Sequence, residues 1–441
     1  MIKLSDHFNI RRIIRYSFPS VVMLVFTSIY TVIDGFFVSN FVGKTAFTAI
    51  NFIWPFVSML SVTGFMFGAG GSALIAKTLG EKNRDKANKI FSFITYFSIL
   101  IGILLGIIGL FFLKPVAIKL GATGDLLEQS LIYGAILLIG LPSYMLQCHF
   151  QCLFPTAQQP KLGLWVTLAA GIANCVFDFL FIVVFKWGIV GAAVATVVAQ
   201  HIGGVYPIIY FARKNNSLLK LTKAPFMGKS LLKICGNGSS ELMSNLSMSI
   251  VGILYNMQLL KYAGVNGVAA YGILMYAGFV VNSVFMGFTT GIAPVISYHY
   301  GSGDKREVSS LLKLNLIILT VTSLLAFGMA NLLAKPISFI FVSYDKVLYD
   351  LTVHAMTIYA LGFLFSGFSI FGSGFFTALN DGFVSAVISF LRTFVFESTA
   401  IMIFPLIWGV DGIWISVMGA EVAAVIVTTF FLVLKRRKYG Y

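Results

Sequence analysis

The chain has 441 residues, of which 58% are hydrophobic and only 11% charged, with a mean hydropathy of +0.91. Soluble domains carry about 25% charged residues, so the apolar surplus cannot be hidden in one aqueous core and lipid must be its solvent. The net charge of +15 does not point to nucleic acid, because the basic residues fall in short segments between apolar runs, as membrane orientation requires.

Lys3, Arg11, Arg12 and Arg15 precede the first apolar run, and no small-residue cleavage site follows. An uncleaved first helix is expected rather than a signal peptide. A helix crossing ~30 Å of hydrocarbon needs about 20 residues. Apolar runs of that size cover approximately 13–38, 45–76, 90–113, 126–154, 160–185, 188–212, 234–260, 265–298, 311–334, 349–379, 382–407 and 411–434. Twelve transmembrane helices follow.

With the N-terminus placed in the cytoplasm, 23 of the 31 lysines and arginines fall in inside segments, namely 3–15, 77–89, 161, 213–233, 305–313 and 435–438. Outside segments hold seven (Lys44, Lys114, Lys119, Lys186, Lys261, Lys335 and Lys346), and Arg392 lies within a span. This bias over short loops places both termini in the cytoplasm of a bacterial-type inner membrane.

A shift of 221 residues superposes short clusters at span ends. Gly43 meets Gly264, Gly70 meets Gly291, Gly80 meets Gly301, Lys114-Pro115 meets Lys335-Pro336, and Trp187-Gly188 meets Trp408-Gly409. The coincidence at one shift indicates a duplication. Six spans per half make both halves enter from the same side. The expected fold is therefore an all-α membrane protein of two six-helix bundles related by a pseudo-two-fold axis along the membrane normal. Residues 1–212 form the first lobe, 213–233 a basic cytoplasmic linker and 234–441 the second. A cleft between two such lobes suits alternating access, hence a transporter rather than a receptor.

A carboxylate inside a span costs roughly 2.5–3.5 kcal/mol on insertion scales, so each needs a reason. Asp34 in helix 1, Asp178 in helix 5 and Thr196 in helix 6 fall at similar depth, given ~1.5 Å of rise per residue. Asn174 precedes Asp178 by four residues and shares its helix face. Two carboxylates, an amide oxygen and a hydroxyl make an oxygen cage for Na⁺; alternatively the two carboxyls share one proton. The plainer reading, hydrogen bonding within helix packing, is weakened by the duplication, because Asp34 corresponds to Tyr255 and Asp178 to Thr399. A two-residue gap would instead pair Asp178 with Glu397. Glu241, after Gly236-Asn237-Gly238-Ser239-Ser240, either gates the cytoplasmic side or faces water. Arg392 and Glu397 share a helix and neutralise each other or neighbours, while Glu421 matches Gln200 as a polar packing position. Pro19 removes a backbone hydrogen bond in mid-helix 1, giving a static kink or a hinge. The four cysteines and the scattered histidines lack metal spacing and read as packed residues. Gly102/Gly106 and Gly287/Gly291 are small-residue helix contacts.

The chain resembles the multidrug and toxic compound extrusion (MATE) family over essentially its whole length. The resemblance is carried by Tyr30-Thr31-Val32-Ile33-Asp34, the Gly43 turn, Asn174-x-x-x-Asp178, and the paired loops Leu79-Gly80-Glu81-Lys82 and Tyr300-Gly301-Ser302-Gly303-Asp304. It implies a V-shaped exporter exchanging Na⁺ or H⁺ for small amphipathic, often cationic, drug-like substrates. It also implies a cation site at Asp34, Asn174, Asp178 and Thr196, with Tyr30 and Tyr133 nearby. Members that use acidic residues in the middle of helices 7 and 10 are not matched, because helix 7 has only the early Glu241 and run 349–379 has Asp350 only at its edge. The chain is expected to act as a monomer in membrane lipid, with no cofactor beyond the coupling ion and no nucleic acid partner.

Two other functional classes compete. A lipid-linked oligosaccharide flippase shares the two-lobe architecture but would line its cleft with basic residues, of which Arg392 alone lies well inside a span. A membrane enzyme is disfavoured because no His-Glu-x-x-His, P-loop or nucleophile elbow occurs and the loops are short.

Overall fold

The computed structural model describes residues 2–343 and 345–441, with the side chains of all but Val32, Lys44, Ser249 and Val265. Among the described residues the chain is helical throughout its ordered elements, with no strand. The spans are α1 Ile10–Val42, α2 Thr45–Gly80, α3 Arg84–Lys119, α5 Pro160–Val184 and α6 Gly188–Ala212. Between α3 and α5, α4 is a pair, Gly124–Ile139 and Leu141–Thr156, bent by 57° at Gly140. The helical run Gly228–Ser302 breaks at Gly264 (φ 62°, ψ −155°) into α7 (228–263) and α8 (Asn266–Ser302). Then follow α9 Lys305–Val342, α10 Lys346–Ala378, α11 Gly382–Trp408 and α12 Val410–Tyr439. Ten of these are long and apolar enough to cross a membrane, the bent pair makes an eleventh, and the more polar α7 completes the set of twelve.

Turn chemistry explains where the helices stop. Asn9, Asn83, Asp304, Asp345 and Asp381 accept hydrogen bonds from first-turn amides at the starts of α1, α3, α9, α10 and α11. The reversals after α1 and α7 use Gly43 (φ 122°) and Gly264 (φ 62°), while α6 and α12 begin beside Gly188 (φ 59°) and Gly409 (φ 58°). Only glycine adopts such conformations without strain.

The duplicated halves also pack on each other in a duplicated way. A Cβ placed on Gly70 would fall 2.0 Å from the Ile234 carbonyl and 2.9 Å from the Gly238 amide, and one on Gly291 would fall 2.9 Å from the Ser17 Cα. Ser17 and Gly238 are themselves related by the 221-residue shift. Likewise Gly80 lies on the Tyr298 carbonyl and Gly301 on the Lys77 carbonyl. These contacts join α1 and α2 to α7 and α8 at the end of the molecule that carries both termini. One buried core runs through the first lobe and the adjoining half of the second. The far half of the second lobe, around Tyr255, Leu274, Met356 and Trp414, has a core of its own. The lobes are therefore fused at the termini end and separate towards the opposite end. Between α6 and α7, residues 213–227 cross from one lobe to the other, and helix resumes at Gly228, inside the basic stretch 213–233.

Candidate functional site

Along α1, the hydroxyls of Ser28 and Ser283 (α8) are 2.6 Å apart, the last hydrogen bond between the lobes on this helix among the described residues. Asp34 lies six residues further, ~9 Å along the axis, in the half where the lobes have parted. Facing it from α5 is Asp178, fully buried, at the point where the α-helix gives way to a π-helical stretch, Phe179–Val184. The two carboxyls lie close enough to influence each other electrostatically. Oδ1 of Asp34 and both carboxylate oxygens of Asp178 are buried without a hydrogen-bond partner, as are both amide atoms of Asn174 one turn below. Buried polar atoms without partners are rare, because each forfeits its water. Four of these five atoms are oxygens, so the spot is rich in hydrogen-bond acceptors.

The surrounding residues close the spot. Tyr133 from α4, 1% exposed, lies near both carboxyls and within reach of Thr196, whose hydroxyl donates to the Ala192 carbonyl at 3.0 Å. Tyr30 from α1 is beside Asp34 and within reach of Gln147 of α4. Gln147 escaped the sequence analysis, although a glutamine in an apolar run was signal enough. Gly171 of α5 admits the rings of Phe26 and Tyr30, with Phe26 only 2.4 Å from where a Cβ would stand. That contact lets α1 approach α5 closely enough for the carboxyls to meet. The donor set is all oxygen, which fits a hard cation such as Na⁺ and equally a proton shared between carboxyls.

Asp34, Asp178, Asn174, Thr196, Tyr30 and Tyr133 thus come together in one lobe. Pro19 and Glu241 do not join them. Pro19 is buried in an unbroken α1 next to Ser17 and Ser20, which pack on Gly287 and Gly291 of α8. It belongs to the lobe seam. Glu241 of α7 lies within electrostatic reach of Arg392 of the second lobe and of Cys152 of α4. Arg392 pairs with Glu421 of α12 and not with Glu397 on its own helix. Nε lies 3.0 Å from both carboxylate oxygens, Nη2 2.7 Å from Oε1, and Ser369 Oγ donates to Oε2 at 2.5 Å. Glu397 is left beside the Tyr255 phenol.

The four cysteines are unpaired. His149 meets Thr95 at 3.2 Å and His201 the Val197 carbonyl at 2.8 Å, while His354 pairs with Asp411 at 2.9 Å. All three occupy ordinary packing or surface positions.

Comparison with known proteins agrees with this architecture. The MatE family model matches residues 19–180 and 242–400, one segment in each lobe. Multidrug export protein MepA of Staphylococcus saprophyticus subsp. saprophyticus is 25% identical over 315 residues, covering 71% of this chain and 69% of that protein. The MepA of Staphylococcus haemolyticus is 26% identical over 317 residues, covering 70% and 69%. A crystal structure of a MATE protein in complex with MaL6 superposes with a TM-score of 0.93 at 20% identity, covering 99% of this chain and 98% of the other. With two duplicated six-helix lobes and a family match in each, the chain belongs to the MatE family of transporters.

Proposed function

We propose that this protein exports small amphipathic, often cationic compounds across a bacterial cytoplasmic membrane, driven by the entry of Na⁺ or H⁺ at Asp34 and Asp178. The observation that carries this reading is the facing carboxyl pair, with Asn174 below it, beyond the point where the lobes part. Two like charges in a dry bundle repel strongly, so the pair favours a bound cation or proton, and taking one up biases the lobe geometry. Substrate released on the side where the lobes part would then be exchanged for the ion. Each pH unit of gradient supplies ~1.4 kcal/mol per proton, and each net charge moved gains ~2.3 kcal/mol per 100 mV. The names of the MepA relatives support export of several compounds, and the distribution of basic residues supports cytoplasmic termini.

The flippase reading gains nothing from the one basic residue well inside a span. Arg392 is bound bidentately by Glu421, so its charge is not free for a pyrophosphate.

The test is transport of an ethidium-like dye in proteoliposomes holding the purified chain, with a Na⁺ gradient or a proton gradient imposed separately. Dye movement driven by one of them supports the reading. No movement under either, together with rescue of a cell-wall precursor defect in cells, would replace it by the flippase.

A further inference from the structure

At the termini end, a cavity of about 280 Å³ opens at the seam between the lobes. Its walls carry three cations, Lys3, Lys82 and Arg84, with Gln158 and Tyr298, and no acidic side chain lines it. None of the three cations forms an ion pair among the described residues. Arg84 spends Nε and Nη2 on the Leu218 and Ser217 carbonyls at 3.0 and 3.3 Å, which holds its guanidinium at the rim.

The backbone supplies an independent observation. Helices α2, α4, α8 and α10 all end at this side with a left-handed residue: Lys82 (φ 60°), Gln158 (φ 59°), Gly303 (φ 77°) and Asn380 (φ 59°). Each closes its helix the same way. The next residue's amide reaches back five residues to Thr78, Phe154, His299 or Phe376, at 2.9–3.1 Å. Glycine and asparagine are the residues that tolerate this cap. The second lobe uses them. The first lobe places Lys82 where its duplicate has Gly303, and closes α4 with Gln158 where α10 is closed by Asn380, one residue off the constant shift, accepting strain of roughly 1 kcal/mol at each. Both strained residues line the one cavity.

The walls also come from separate parts of the chain. Lys3 belongs to the N-terminal segment, which crosses to the second lobe: Glu307 of α9 accepts from the Phe8 amide at 2.8 Å and lies 2.7 Å from His7 Nδ1. Lys82 and Arg84 join α2 to α3, Leu218 lies in the crossing segment 213–227, and Tyr298 belongs to α8.

We propose that this cavity binds a phosphate-bearing anion, which bridges the two lobes at the termini end. Three cations without an acidic partner, two of them lysines, surround a headgroup-sized space and match phosphate oxygens, and charge-assisted hydrogen bonds are the strong ones. Basic pockets at this depth face anionic lipid headgroups, and free phosphate offers the same chemistry. The site is separate from the carboxyl pair, so its test does not depend on transport.

Thermal unfolding of the purified full chain in neutral detergent is followed while three probes are titrated at constant ionic strength: short-chain phosphatidylglycerol, short-chain phosphatidylcholine and inorganic phosphate. The unfolding midpoint should rise saturably with phosphatidylglycerol and not with phosphatidylcholine. A parallel response to inorganic phosphate means the free anion suffices; its absence means the lipid headgroup is the ligand; either supports the site. Lys82→Gly and Lys3→Gln should each weaken the response about tenfold, while Lys119→Gln, at the opposite end, leaves it unchanged. Lys82→Gly installs the residue that the other lobe uses, so loss of response is not loss of fold. Equal effects of both lipids, no response in the unaltered chain, or unchanged titrations in Lys82→Gly and Lys3→Gln would overturn the proposal.

Discussion

Gly80 rests on the main-chain carbonyl of Tyr298 so closely that a Cβ there would fall 2.0 Å from the oxygen. Its duplicate, Gly301, stands 2.1 Å by the same measure from the Lys77 carbonyl. Neither backbone can yield without parting the lobes. Gly80→Ala and Gly301→Ala should each destabilise the protein by ~1–3 kcal/mol, read as a lowered unfolding midpoint. Gly252→Ala and Gly272→Ala, where a Cβ meets nothing within 4 Å, should be neutral or slightly stabilising. If all four variants melt alike, the seam is not held by these glycines.

Asp34→Asn and Asp178→Asn should each cut dye export at least about tenfold while surface expression holds. A ligand that binds only the native state raises its stability. Stabilisation of the unaltered protein by Na⁺ or by acid should therefore vanish in both variants. Normal export by both would remove the carboxyl pair from the mechanism.

The Arg392–Glu421 pair is bidentate and 17% and 9% exposed at its two side chains. Removing one partner leaves the other charge uncompensated at a cost of ~3–5 kcal/mol. Arg392→Gln and Glu421→Gln should thus be poorly stable. The double variant Arg392→Met, Glu421→Leu should recover much of the loss, since an apolar pair of similar volume is often neutral. Double-mutant analysis of unfolding would show this as a large coupling term, and strictly additive effects would contradict it.

Gly188 and Gly409 hold φ near 59° where α6 and α12 begin. Gly188→Ala and Gly409→Ala should each cost ~1 kcal/mol through backbone strain alone. Lying in different lobes, their effects should add within ~0.5 kcal/mol, which thermal unfolding of the double variant checks.

Much of this architecture was legible before any coordinates. The apolar runs gave the spans, because hydrocarbon enforces helix length, and the constant shift of 221 residues gave the two lobes, but not that Gly70, Gly80, Gly291 and Gly301 pack the seam between them. Asp34 and Asp178 could be brought together by counting rise per residue. Other features had no local signature. The π-helical stretches after Asp178 and at Leu391–Phe396 depend on packing rather than residue type. The partner of Arg392 lies 29 residues away on another helix, so sequence proximity could not choose between Glu397 and a neighbour. The bend of α4 did have a signal, Gly140 followed by Leu141-Pro142, but it lay inside a run read as continuous. The left-handed cap at Lys82 was visible only through its duplicate Gly303, and the one at Gln158 not even so, because the constant shift pairs it with Leu379.

The relative polarity of α7 bears on how the protein is made. Asn237, Ser239, Ser240, Glu241, Asn245, Asn256 and Gln258 give this segment little tendency to leave the translocon for lipid by itself. Its backbone closes on α2 through Gly238 and the Met66 carbonyl, so the earlier-synthesised helices offer it a sheltered berth. Biogenesis is thereby ordered: residues 1–212 must settle in the bilayer before the second half can complete its own insertion.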